Sequence, residues 1–237
     1  MSSYKEREVP VGNREINQKA LVGKAKDCAI LILHGWGGSS KSWTRIKELL
    51  ENQGYKIYIP DLPGFGGNPA PQTPWSVDDY VDWVNNFCEK QGLSRFFLLG
   101  HSFGGALAVK IAAKAPEKIE KLILVAPALK RDRTIKYYFY LILAKIGKPI
   151  FSLPILSFLL PIAQRVLYKI EGTSDYHKLE IEKAVMMKET FKKIVAEDLR
   201  FCLPLIKNKT LILWGKKDAL TPFGDSREVN EKISGSQ

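Results

Sequence analysis

Histidine and cysteine are scarce in this chain of 237 residues, three of each. Cys28, Cys88 and Cys202 are odd in number, widely scattered and without C-x-x-C spacing, so neither a disulfide framework nor a zinc site is expected, and a reducing cytoplasm fits best. No apolar run reaches the roughly 20 residues of a membrane span. The most apolar stretch, 149–163, is broken by Pro149, Pro154 and Pro161. Met1 to Glu8 are polar and charged, unlike the start of a secretory signal. There is no internal repeat. Lys and Arg give a net charge of +11, but they are spread through every segment rather than gathered with aromatics. The expectation is a solvated basic surface, with no nucleic-acid partner and no stable membrane insertion.

The hydrophobic content of 45% and charged content of 26% are those of an ordinary globular domain. Five runs rich in β-branched and large apolar residues read as buried parallel strands: Ala29–Leu33, Lys56–Pro60, Phe96–Gly100, Leu122–Pro127 and Thr210–Gly215. Helical patterns lie between them. Residues 40–52 would turn Trp43, Ile46, Leu49 and Leu50 inward, and Val77, Tyr80, Val81, Val84 and Phe87 share one face of a second helix. Ser76 and Asp79 have the spacing of a capping box at its start. After Ser102, the small residues Gly104, Gly105, Ala106 and Ala108 would let a third helix approach the sheet closely. This alternation predicts an α/β fold, a doubly wound and mostly parallel sheet with right-handed crossovers. The stretch from Val9 to Gly23, with Gly12-Asn13 at its centre, is expected to form an antiparallel hairpin on the sheet edge.

From Ala128 to Pro204 no strand signal appears. The segment is basic at Lys130, Arg131, Arg133 and Lys136, aromatic from Tyr137 to Tyr140, and then broken by proline. Its clearest helix, from about Leu179 to Leu199, carries Met187, Phe191, Ile194, Val195 and Leu199 as one apolar stripe. The division expected is a core begun by residues 1–127, a helical lid inserted as 128–204, and a return to the core in 205–237.

The chemistry gathers where strands end. Phe96-Phe97-Leu98-Leu99 runs into Gly100-His101-Ser102-Phe103-Gly104, a G-x-S-x-G turn with a strand before it and a helix after it. At so sharp a turn a side chain at either flanking glycine would collide with the adjoining strand or helix. The turn exposes a hydroxyl at a helix N-terminus, where partial positive charge favours a developing oxyanion. Upstream, the strand Ala29–Leu33 ends in His34-Gly35-Trp36-Gly37-Gly38, and the next leads to Asp61-Leu62-Pro63-Gly64-Phe65-Gly66. Downstream, Leu211 to Gly215 leads to Lys216-Lys217-Asp218, a carboxylate just past a strand end. The Gly64-Phe65-Gly66-Gly67 run lacks the Lys-Ser/Thr of a phosphate loop.

With these four stations in this order, the chain resembles the α/β-hydrolase family, in particular the group with a helical cap. The resemblance covers nearly all of Val9 to Ile233. It implies Ser102 as nucleophile, Asp218 as the acid that orients a histidine, and the N–H groups of Trp36 and Phe103 as the oxyanion hole. His34, Gly35, Gly100, His101 and Gly104 are its supporting motif residues. The resemblance also makes Ala128 to Pro204 the cap that shapes the substrate pocket. No metal or organic cofactor is implied. The family places its histidine after one more strand beyond the acid, so the expectation is a chain without the last core strand and helix, with an apolar sheet edge exposed.

His101 directly precedes Ser102 and is expected to point away from it. His34 is expected to hold the oxyanion loop, and His177 to lie on the surface of the cap. The reading that follows is a serine hydrolase acting on a carboxylic ester or related acyl substrate with an apolar portion, through an acyl-enzyme at Ser102, with activity impaired for want of the histidine. The alternative is a catalytically silent protein that holds a small apolar ligand. Ser102 excludes the dehalogenase branch, which needs a carboxylate at the elbow.

Overall fold

A computed structural model describes residues 7–11, 14–18, 29–130, 181–218 and 220–237. Strands β1 (Arg7–Val11) and β2 (Arg14–Gln18) pair antiparallel, with Val9 opposite Ile16. They form a two-stranded sheet of their own, and not an edge of the main sheet as the sequence suggested. The apolar runs become β3 (Ala29–Leu33), β4 (Lys56–Tyr58), β5 (Phe96–His101), β6 (Ile119–Val125) and β7 (Thr210–Leu213). Their order is β4-β3-β5-β6-β7, and every adjacent pair is parallel. From β3 the chain moves outward to β4, crosses back over β3 to β5, and continues in the other direction. The reversal therefore falls between β3 and β5, and the crevice beyond their C-terminal ends is where an open sheet of this kind takes its ligand.

One face of the sheet meets α1 (Thr44–Asn52), which follows a 3-10 turn at Ser40–Trp43. Here Trp43 and Leu50 pack on Ile30, Ile32, Ile57, Ile59 and Leu99. Ile46 and Leu49, expected inward, are exposed, while Lys47 is buried. The inward stripe is turned by one residue because the Lys47 stem covers apolar surface while its ammonium reaches Glu51 at 3.3 Å. The other face meets α2 (Val77–Lys90) and α3 (Phe103–Lys114). The five apolar residues expected on one side of α2 are all buried. Its capping box is formed, with the Asp79 N–H donating to Ser76 Oγ and the Ser76 N–H to Asp79 Oδ2 at 2.7 Å.

Helix α4 (Ile181–Ala196) ends three residues before the expected Leu199, where Asp198 instead caps a 3-10 helix by accepting the Arg200 N–H at 3.1 Å. Helix α5 (Asp225–Lys232) follows β7, and Gln237 then lies alongside that strand, accepting the Ile212 N–H at 2.7 Å and donating to the Thr210 carbonyl at 3.1 Å. Leu211 and Leu213 of β7 are exposed. The chain divides into two compact units, residues 1–130 with 185–237, and residues 131–184. Cys28, the basic and aromatic residues 131–140, the apolar run 149–163 and His177 lie outside the described residues. Among the described residues no helix is long and apolar enough to cross a membrane.

The nearness of α3 to the sheet rests on glycine. A Cβ on Gly104 would run into the Leu33 carbonyl, one on Gly100 into the Gly104 carbonyl, and one on Gly105 would stand 2.8 Å from Pro127 Cα. All three obstacles are backbone, which cannot turn aside as a side chain can. Gly104→Ala is expected to cost about 2 kcal/mol or more in urea denaturation. Gly67→Ala, at a position with nothing within 4 Å, should change stability by less than about 0.5 kcal/mol.

Candidate active site

Ser102 is the residue on which the β5–α3 turn pivots. It has φ 51 and ψ −115, a left-handed backbone that only glycine adopts without strain, worth roughly 1–3 kcal/mol. Three hydrogen bonds hold it there. Its N–H donates to the Val125 carbonyl, and its own carbonyl accepts from the N–H groups of Ala106 and Ala128, each at 3.0 Å. Its side chain is half-buried, and among the described residues no group hydrogen-bonds to Oγ. A second non-glycine residue at positive φ, Ala126 at φ 43, follows the neighbouring strand β6, and its N–H donates to the Leu213 carbonyl at 2.9 Å. Nothing in the sequence flagged it.

Across the switch point, β3 ends in His34 and Gly35. The position a Cβ would take on Gly35 lies 3.0 Å from His101 Nδ1 and 3.3 Å from Ser102 Cβ, so a side chain there would press on both. His34 is fully buried. Its Nδ1–H donates to the Gly35 carbonyl at 2.8 Å, and its Nε2 accepts the Leu62 N–H at 3.0 Å, which assigns the neutral tautomer and engages both ring nitrogens. Burial holds its pKa below the ordinary value, against the Gly35 carbonyl and the Asp61 charge, which pull upward. Asp61 ties the next loop in the same way, Oδ1 accepting from the Ser40 N–H at 2.6 Å and Oδ2 from the Gly67 N–H at 3.3 Å.

Aromatic rings fix this loop from the other side. Trp36 meets Phe65 and Phe103 edge-on at 4.8 and 5.5 Å, and Phe191 of α4 in a tilted contact at 5.0 Å. Tyr80 packs on Phe103 at 5.1 Å and donates its hydroxyl to the Pro63 carbonyl at 3.0 Å. Sequence reasoning placed Phe191 on an apolar stripe without foreseeing that it would reach Trp36. Helix α4 is anchored nearby, Thr190 Oγ1 accepting from the Trp75 N–H at 3.2 Å and Lys193 donating to the Pro74 carbonyl at 2.8 Å.

Asp218 sits beyond β7 in a turn of its own making. Oδ1 accepts the N–H groups of Leu220 and Thr221, and Oδ2 accepts the Thr221 hydroxyl, all at 2.9 Å. Partial burial works against its ionisation. The Thr221 and Leu220 donors outweigh burial, with a smaller contribution from His101, and hold the carboxyl below its ordinary range. His101 is half-buried, 6.3 Å edge-on from the Trp43 ring, and burial lowers its pKa while the Asp218 charge raises it. The structure thus gathers Ser102, Phe103, His101, Gly35 and Trp36 about one crevice, with Asp218 in electrostatic reach.

A strained serine at a strand-to-helix turn, at the switch point of a parallel sheet and facing a glycine loop, defines a class of fold. A family model described as alpha/beta hydrolase fold matches residues 29–144. An uncharacterized protein of Mycobacterium tuberculosis is 27% identical over 231 residues, 88% of this chain and 67% of that protein. Lipase 3 of a Moraxella species is 40% identical over 101 residues, 42% of this chain and 31% of the lipase. The crystal structure of a membrane phospholipase A superposes with a TM-score of 0.75 at 24% identity, covering 99% of this chain and 77% of that one. Residues 29–144 are thus similar to the alpha/beta hydrolase fold, and the lipase relative supports a hydrolase.

His34 gives the site a pH-dependent anchor. Its folded pKa lies below the unfolded one, so its contribution is complete above the ordinary histidine value of about 6.5 and is lost as pH falls through the folded value. His34→Ala leaves the Leu62 N–H buried without its partner and takes one of two donors from the Gly35 carbonyl, which keeps the Gly38 N–H, and should cost about 2 kcal/mol at neutral pH. The loss of denaturant midpoint on acidification should be shallower in the variant. His101 contributes with the same sign, so the slope is reduced rather than abolished.

Proposed function

We propose that this chain is built for acyl transfer to water through Ser102, on a carboxylic ester or related acyl substrate with an apolar portion. The observation that carries the reading is the backbone of Ser102, strained at φ 51 on the N-terminus of α3 and beside Gly35. Strain of this kind is kept where it positions a reacting group. In this reading Ser102 Oγ attacks the carbonyl carbon and the oxyanion forms against the N–H groups of Phe103 and Trp36. Phe103 opens α3, where backbone donors point out of the helix. Collapse of that intermediate breaks the C–O bond and expels the alcohol, leaving the acyl group on Ser102, and water then releases it as the acid. Asp218 orients the imidazole that takes the serine proton, and residues 128–204 form the cap over a core of 1–127 and 205–237. Scattered cysteines favour a cytoplasmic setting.

The imidazole is not among the described residues. His34 has both nitrogens engaged, and His101 makes no hydrogen bond to Ser102. General-base assistance is worth about 10²–10⁴ in rate, so ester hydrolysis by these 237 residues is expected close to background. The same observation favours a second reading, a protein that holds an apolar acyl compound without turning it over.

A fluorophosphonate probe separates the two. Slow covalent labelling that vanishes in Ser102→Ala is expected, while a folded sample that takes up no label would favour the silent binder. Robust ester turnover lost in His177→Ala would show that the cap supplies the base.

A further inference from the structure

Strain is not confined to Ser102. Ala126, the residue after β6, is buried and has φ 43. A left-handed backbone is costly for a residue with a Cβ, and the proline that follows favours extended backbone at Ala126, so the conformation is disfavoured twice. The ladder around it explains what it achieves. Val125 is the last paired residue of β6, opposite His101 of β5 and Leu213 of β7. Its carbonyl accepts the Ser102 N–H at 3.0 Å. If β6 ran on as a regular parallel strand, the donor due at the Ser102 carbonyl would be residue 127, which is proline and has no N–H. The turn at Ala126 brings Ala128 round in its place, and the Ala128 N–H meets the Ser102 carbonyl at 3.0 Å. On the far side the Ala126 N–H is fixed to the Leu213 carbonyl at 2.9 Å. Pro127 lies against the first turn of α3, its Cα and Cβ each 2.8 Å from where a Cβ would stand on Gly105.

We infer that Ala126 is a positioning residue for Ser102: its left-handed backbone, pinned to β7, bends residues 125–128 into a bracket that grips Ser102 by both its N–H and its carbonyl. The bracket stands on the hydrogen bonds alone, and its bearing on chemistry rests on the Ser102 reading above. Two strained residues on adjacent strands thus hold each other. Ser102 can relax toward extended backbone only by giving up Val125 and Ala128, and Ala126 can relax only by drawing Ala128 away from Ser102. The side chain of Ala126 makes none of these bonds, so the requirement falls on the sign of φ at this position.

Hydrogen exchange of the native 237-residue chain, read amide by amide by NMR, tests the bracket without a substitution. The N–H groups of Ser102, Ala126 and Ala128 should open as one unit, with protection factors within about tenfold of one another, and a wider spread overturns the bracket. Two variants then test the sign of φ. Ala126→Gly takes up positive φ without strain and should keep the native backbone chemical shifts and amide protection of Ser102, whereas shifted Ser102 resonances would overturn a role for the backbone alone. Ala126→Val disfavours positive φ and should lower protection at Ser102 by about tenfold more than at Leu98 in the middle of β5. Equal losses at the two amides mean that Ala126 serves stability only. Should the Val variant fail to fold, native exchange and the Gly variant still decide. Fluorophosphonate labelling should be within about threefold of native for Ala126→Gly and slower by about tenfold for Ala126→Val, and equal rates overturn the positioning role. A native chain that takes up no label overturns the nucleophile reading instead, while the exchange pattern still reports whether the bracket exists.

Discussion

The structure depends on how closely one helix can approach three strand ends. Helix α3 begins where β5 stops, and its first turn lies against the Leu33 carbonyl of β3 and against Pro127 beyond β6. Gly100, Gly104 and Gly105 make this possible by presenting hydrogens where any other residue would present carbon. Once the helix is seated, the connecting residue has no relaxed conformation open to it, and Ser102 takes up a left-handed backbone. Its three backbone hydrogen bonds offset a strain of roughly 1–3 kcal/mol. The strained serine thus follows from packing before it follows from chemistry, and the switch between β3 and β5 supplies the crevice for it to face.

The loops around that crevice are held by polar struts and by rings. His34 and Asp61 spend their hydrogen-bonding capacity on backbone N–H groups of neighbouring loops, so the Gly-rich segments after β3 and β4 are fixed despite having few side chains of their own. Trp36 closes the remaining space, edge to face with Phe65 and Phe103 and tilted against Phe191. Farther along α3, buried Lys110 donates to Asp78 at the start of α2 and to Glu197 just after α4. Burial disfavours its charge, but the two carboxylates outweigh that and raise its pKa. A partly buried ion pair of this sort adds little net stability, and here it joins the α4 end to the helix that follows Ser102.

Much of this was legible in the sequence because the signals were local. Strand runs, the Ser76–Asp79 cap and the glycines about Ser102 each encode their structure within a few residues. The errors came where tertiary context decides. Ile46 and Leu49 look like core by spacing, but packing against the sheet buries Lys47 and leaves both of them exposed. The boundary at Ala196 depends on Asp198 finding the Arg200 N–H, which a smooth apolar stripe conceals. The strain at Ala126 has no signature in the residue itself. In the site, Ser102 and Asp218 carried motif signals, whereas the meeting of Phe191 with Trp36 joins residues far apart in sequence and was invisible.

Asp218 is where local and catalytic geometry have to agree. A carboxylate can accept about four hydrogen bonds. Thr221 and Leu220 supply three, two on Oδ1 and one on Oδ2, which fixes the plane of the group and leaves capacity on Oδ2. A turn aspartate needs nothing more. An acid that has to orient an imidazole needs this arrangement: locked by its own loop, ionised, and with one acceptor position to spare. The two described histidines near the crevice show what such a partner must offer. His34 cannot serve because both nitrogens are committed, and His101 stands against Gly35 without a bond to Ser102. In the reading proposed above, the base is an imidazole with one nitrogen directed at Asp218 and the other at Ser102 Oγ.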